Sequence, residues 1–224
     1  MAEIDIPAQM GYDRAAVVFS PEGRIYQVEY ALEAVKLSKT SVGVVFNDGV
    51  VLAAYSPLSA LQLPSKFGKV AKIDDHIIAA PCGLTGDARI LIDYLRMQAQ
   101  INKLTYGEPI DVFVLAKKVA DRMQLFTQVG GVRPYGVSIL LGGINNEPTL
   151  YEINSSGTLY KWKAKSLGRG EKEAQKYLEK NYKENIGEEY AKKLATTAIE
   201  RGEKKFGKFD KKAIEILVVK KNSE

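Results

Sequence analysis

Side chains suited to chemistry are scarce in this chain. Its 224 residues include one histidine, His76, and one cysteine, Cys82. A hydroxyl or thiol nucleophile that needs an imidazole base has only His76 to draw on. That residue follows Asp74 and Asp75 between two short apolar runs, which predicts a surface turn rather than a catalytic base. A single cysteine permits no intrachain disulfide, and together with a single histidine it cannot build a Cys/His metal cluster. No metal and no cofactor are expected. The net charge of +5 raises nucleic acid as a partner. In the last third, however, Lys192, Lys193, Arg201, Lys204, Lys205, Lys208, Lys211 and Lys212 alternate with Glu188, Glu189, Glu200, Glu203 and Asp210. Interspersed charge reads as a solvated helix face, and no recognition motif accompanies it.

The bulk composition is that of a globular protein, with 46% hydrophobic and 26% charged residues. No apolar run is long enough to span a membrane, and the first residues, with Glu3 and Asp5, lack the apolar stretch of a secretory signal. The expected location is the cytoplasm. Ile25, Val28, Leu32 and Val35 recur at helical spacing after the turn residues Pro21, Glu22 and Gly23, which predicts a helix over 25–37. "TSVGVVFNDGVVLAAY" predicts a hairpin about Asn47, Asp48 and Gly49. Short strands are expected at 70–73 and 77–80, helices at 87–103 and 111–128, and strands at 137–142, 150–154 and 158–164. Helices at 171–182 and 188–201 and a strand at 213–219 complete the chain. Hairpins predominate, so the sheets should be mainly antiparallel. Two helix pairs separated by hairpin-built sheets predict an α+β fold, a four-layer α-β-β-α sandwich, read as one domain over 1–224.

"YDRAAVVFSPEGRIYQVEYALEAV", residues 12–35, is unusual as a beginning, because Tyr12, Asp13 and Arg14 look placed for contact rather than for a core. With "LTYGEPI" at 104–110 and "GGVRPYGVSILLGG" at 130–143, and weaker echoes in "GLTGDAR" and "SSGTLYKWKA", this stretch resembles the α subunits of the 20S proteasome, the archaeal type above all. The resemblance runs nearly end to end. It implies the N-terminal-nucleophile hydrolase fold, with residues 1–37 as a gate segment and first helix and 38–224 as the sandwich core. It further implies a non-catalytic member of a seven-membered outer ring that templates a ring of β subunits, contacts neighbouring α subunits and gates the passage of substrate. Tyr12 and Asp13, with Pro21 and Tyr30, match the cluster that holds the gate open; the plainer reading is that these residues cap and staple the first helix.

Catalytic relatives use an N-terminal threonine freed by propeptide cleavage. The corresponding segment here is "SKTSVG", 38–43, where alignment puts Lys39 at the nucleophile position and Thr40 one place on. Cutting there would discard the first helix, and the supporting acidic position falls near Tyr55. A self-standing threonine hydrolase is thus the rival reading, and a divergent α paralogue with altered partners another. Lys69 matches a lysine that binds the C-terminal carboxylate of a hexameric ATPase activator, whose tail ends in a hydrophobic residue, tyrosine and any residue. Glu29, Gly83 and Leu84 would line that pocket. In "GGVRPYGVS", Gly131, Arg133 and Tyr135 are implied to organise contacts between subunits, although the segment also reads as a turn held by its own arginine. Ser38 and Leu32 depart from the family's usual glycine and arginine. The apolar "AAYSPLSALQLPS", 53–65, departs from a usually charged segment, and is expected to pack on a neighbour or to form a locally buried loop.

Overall fold

The computed structural model describes residues 17–63 and 68–221. Its elements in chain order are α1 (Tyr26–Leu37), β1 (Ser41–Phe46), β2 (Gly49–Tyr55), β3 (Ala71–Asp74), β4 (Ile77–Gly83), α2 (Thr85–Tyr106) and α3 (Val112–Leu125). They continue with β5 (Val137–Ile144), β6 (Pro148–Ile153), β7 (Leu159–Trp162), β8 (Ala164–Leu167), α4 (Glu171–Asn181), α5 (Glu188–Glu203) and β9 (Ile214–Lys220). Every strand pair is antiparallel. One sheet has the order β8-β1-β2-β9 and the other β3-β4-β5-β6-β7.

Period-two alternation places the two sheets. In β1, Val42, Val44 and Phe46 turn outward and pack with Ala174, Leu178, Leu194 and Ala198 of α4 and α5. In β6, Tyr151 and Ile153 turn outward and pack with Leu95, Leu115 and Met123 of α2 and α3. Leu52, Ala80, Leu140, Leu150 and Leu167 fill the layer between the sheets. Sheets covered on both faces explain why "SVGVVF" and "GVVLAAY" are near-continuous apolar runs: every residue of β2 is buried. The α-β-β-α sandwich expected from the element order is therefore present. Among the described residues no helix is long and apolar enough to cross a membrane.

One expectation needs correction. The run 158–164 is not one strand. β7 pairs with β6, and β8 pairs with β1 in the opposite sheet. The chain changes sheets at Lys163, whose carbonyl accepts from the Val45 amide at 2.8 Å. Stacked sheets lie roughly 10 Å apart, so one straight strand cannot serve both. Strand β4 also runs on to Gly83, and this extension carries Cys82 and Gly83 to the end of the sandwich where α1 lies.

Candidate functional site

The described site residues lie along α1 and beside the ends of β4 and β5, on which it packs. Helix α1 packs against β4 and β5, and its Val35 enters the layer between the sheets beside Cys82 and Leu167. Before the helix, Ser20 and Arg24 close a turn, with the Ser20 amide donating to the Arg24 carbonyl at 2.8 Å and the Arg24 amide to Ser20 Oγ at 3.2 Å. Pro21 lies exposed on this turn, and Tyr30 is half exposed with its ring stacked on Tyr26. Tyr12, Asp13 and Arg14 lie outside the described residues. The N-cap residue Ile25 makes no side-chain cap bond. Arg24 and Glu29 form a two-pronged pair, Nε to Oε1 at 2.7 Å and Nη2 to Oε2. The Arg24 hydrogen bond holds the Glu29 carboxyl below its ordinary value.

Lys69 sits at the other end of α1. Its amide donates to Glu215 Oε2 at 2.6 Å, and its ammonium donates to the Lys39 carbonyl. Cys82 Sγ approaches the same carbonyl at 3.4 Å. Burial pushes the Lys69 ammonium below the usual lysine value and the Cys82 thiol above the usual thiol value. Lys69 is thus half-buried, with its ammonium held by a backbone carbonyl. It and Glu29 do not pair: Glu29 is taken by Arg24, and the Lys69 ammonium by Lys39.

Gly83 and Leu84 stand on the neighbouring wall. The Leu84 amide donates to the Gly136 carbonyl at 2.9 Å. Gly83 has φ 137°, and a methyl group there would collide with the Gly136 carbonyl and lie 2.8 Å from Val137 Cα. At Gly136 a methyl would meet the Leu84 side chain at 2.8 Å, with Ala34 of α1 just beyond. The absence of side chains at these two positions lets α1, β4 and the start of β5 close up.

The loop before β5 is tied to the start of α2 by Asp87, which lies in the "GLTGDAR" stretch but has no role legible in the sequence alone. Arg133 reaches it with two prongs, Nη1 to Oδ2 at 2.6 Å and Nη2 to Oδ1 at 2.8 Å, and the Gly136 amide donates to the same carboxylate at 2.9 Å. The Arg133 hydrogen bonds hold the Asp87 carboxyl below its ordinary value. Gly131 turns the loop with φ 83°. The Tyr135 ring packs 4.6 Å from Phe126, and its hydroxyl accepts from Arg122 Nε at 3.2 Å. The arginine at 133 therefore grips a carboxylate from a distant element rather than only its own turn.

Thr40 occupies the end of the same region and is fully buried. Its hydroxyl donates to Glu203 Oε1 at 2.7 Å, its amide donates to the same oxygen at 2.8 Å, and the Gly170 amide donates to Thr40 Oγ1 at 3.1 Å. Arg169 Nε donates to Glu203 Oε2 at 3.0 Å. Tyr55, near the position of a supporting acid, is a buried ring stacked 5.2 Å from Phe209. An N-terminal nucleophile needs a free α-amine as its base. The Thr40 nitrogen is instead a peptide amide in an unbroken run from α1 into β1, committed to Glu203. This network joins β1 to α4 and α5. Glu203, read from the sequence as part of a solvated helix face, is buried: it continues the apolar series Ala195, Ala198, Ile199 and Gly202 on α5, where a carboxylate demands a partner.

His76 lies in the turn between β3 and β4 as expected, half-buried, with its Nε2 2.8 Å from the Ile110 carbonyl. One smaller expectation changes. The segment after β2 is not a locally buried loop, since Leu61 is 96% and Leu63 84% exposed. Among the described residues no group of histidine, cysteine and acidic side chains is placed to hold a metal.

Sequence comparison identifies the family. The N-terminal signature of A-type proteasome subunits matches residues 12–34, and the profile of proteasome subunits in general matches residues 35–219. The chain belongs to the proteasome subunit family. The signature places it with the α subunits, the non-catalytic type. It is 50% identical over 195 residues to the proteasome alpha subunit of Thermococcus kodakarensis, covering 87% of this chain and 75% of that one. The proteasome alpha subunit of Pyrococcus horikoshii is 48% identical over the same shares. That of Archaeoglobus fulgidus is 48% identical over 85% of this chain and 78% of its own.

Proposed function

We propose that this α-type chain, built as one domain, forms the outer heptameric ring of a cytoplasmic 20S proteasome, templates the β ring, gates substrate passage and docks a hexameric ATPase. The carrying observation is the α-type signature over 12–34 together with a Thr40 held inside the chain by Glu203. A chain of this kind contributes no nucleophile, so its work lies in its surfaces. The gate reading rests on Tyr12, Asp13 and Arg14 of that signature and on Pro21 and Tyr30 farther along the same stretch, both exposed. Degradation through such a gate would not itself require ubiquitin.

Lys69 is the proposed carboxylate anchor. An incoming C-terminal carboxylate would offset the desolvation that now lowers the ammonium's usual value. Gly83 and Leu84 supply an apolar wall beside α1 for the hydrophobic residue of the tail. Arg133, Gly131 and Tyr135 hold the loop that a neighbouring α chain would meet.

Electron microscopy of the chain alone and co-expressed with its β partner tests the reading. Sevenfold rings and four-ring barrels are expected; a monomer in both samples would overturn it. In assembled particles Lys69→Ala should remove ATPase-stimulated proteolysis while leaving hydrolysis of small peptides by the β subunits intact. The exposed leucines of 58–63 favour a second reading, a paralogue whose partners differ from those of its relatives.

A further inference from the structure

Strand β2 and the 3₁₀ turn before β9 leave a groove of about 730 Å³ between them, and neither the gate nor the Lys69 reading accounts for it. Its floor is Tyr55 stacked on Phe209. One lip is the segment 56–63, and the other carries Lys208 and Lys212. The first lip is an ordered turn rather than a loose loop. The Ser56 amide donates to the Ala213 carbonyl at 2.8 Å, the Gln62 amide to the Ser59 carbonyl at 3.0 Å, and the Ser59 amide to Gln62 Oε1 at 3.3 Å. The turn holds Leu58, Leu61 and Leu63 toward solvent, 48%, 96% and 84% exposed. Water-facing leucines held in place by backbone hydrogen bonds mark a contact surface.

The charges around the groove are unevenly satisfied. Both carboxylates beside it are turned to backbone donors: Asp210 accepts from the Lys212 amide at 2.9 Å, and Glu215 from the amides of Lys69 and Val70 at 2.6 and 3.3 Å. Among the described residues neither Lys208 nor Lys212 has an ion-pair partner, whereas nearby Lys204 and Lys205 are paired with Glu200 and Glu173. The groove therefore sets unpaired cations on one lip against Leu58 on the other, with Leu61 and Leu63 exposed farther along the same turn.

We propose that this groove docks an extended segment of a partner protein that alternates apolar side chains with carboxylates. The apolar side chains bury the leucine lip and the aromatic floor, and the carboxylates reach Lys208 and Lys212. The site is separate from the Lys69 ammonium, which faces Lys39.

The test uses assembled particles and, as probe, a fluorescein-labelled nine-residue peptide of alternating leucine and glutamate, followed by fluorescence anisotropy. A matched peptide with lysine in place of glutamate is the control. Saturable binding of the glutamate peptide is expected, weakening about tenfold or more in Lys208→Glu/Lys212→Glu and falling with added salt. Leu61→Asp should weaken it as well, and Lys69→Ala should leave it unchanged. Electron microscopy of each variant confirms intact particles, and Lys208→Gln/Lys212→Gln supplies a milder change if charge reversal prevents assembly. Equal binding of both peptides, binding unaffected by the lysine changes, or no saturable binding to intact particles would each overturn the proposal. The last outcome would mean that a neighbouring chain covers the groove.

Discussion

Replacing Glu203 by alanine should cost this protein much of its stability without touching any exposed surface. The Glu203 side chain is 1% exposed and accepts from the Thr40 hydroxyl, the Thr40 amide and Arg169. Removing one partner of a buried charge pair typically costs about 3–5 kcal/mol, because the other is left uncompensated. Arg169 here keeps some water contact at 27% exposure, which favours the lower end of that range. For a chain of this size that corresponds to a fall in Tm of roughly 6–12 °C. Urea unfolding at one fixed protein concentration is the assay, since ring assembly would otherwise add to the measured stability. Thr40→Val, which removes only the hydroxyl, should cost about 1–2 kcal/mol. The double variant should be less destabilised than the sum of the two, with a coupling of about 0.5–3 kcal/mol. Hydrogen exchange gives a local readout, because the Thr40 amide loses its acceptor in Glu203→Ala and should exchange faster. A Glu203→Ala loss below about 1 kcal/mol, or strict additivity with Thr40→Val, would refute the idea that this network ties β1 to the outer helices.

The same carboxylate predicts an acid sensitivity. Burial alone would raise it, but hydrogen bonds from Arg169 and Thr40 outweigh burial and hold it below the ordinary carboxylate value. Its contribution is therefore fully present above the unfolded value of about 4.3 and is lost as pH falls through the folded value; Glu203→Ala should flatten that part of the stability-pH curve. Gly83→Ala forces a methyl group into a φ of 137° against the Gly136 carbonyl and should cost about 2–3 kcal/mol by urea unfolding; a neutral result would show that the β4–β5 junction can relax. Asp87→Ala strands both Arg133 and the Gly136 amide and should cost about 1–3 kcal/mol, whereas Arg133→Lys, at a largely exposed position, should cost less than about 1 kcal/mol; the reverse order would contradict the geometry.

Much of this architecture was legible in the residues. Ile25, Val28, Leu32 and Val35 announced α1, Asn47 and Asp48 announced the first hairpin, and helix pairs alternating with hairpins announced the layered sandwich. These are local signals, carried by side-chain period and turn chemistry, which a linear string preserves. The α-type signature was equally local, a single stretch at 12–34.

What the string could not carry was every pairing between distant residues. Alternation runs unbroken from Tyr160 to Ala164, so nothing marks Lys163 as the point where the chain leaves one sheet for the other. Asp87 and Arg133 are 46 positions apart, and Thr40 and Glu203 are 163 apart. The resemblance singled out Lys69, but only the fold brought the Lys39 carbonyl to its ammonium in a place where burial lowers the usual lysine value. The sequence by itself determined which segments are helix and strand, which faces are apolar and which family the chain resembles. Only the tertiary structure decided which polar groups meet, because a buried carboxylate or ammonium is stabilised by whatever partner packing delivers, and that partner's sequence distance has no bearing on the energy.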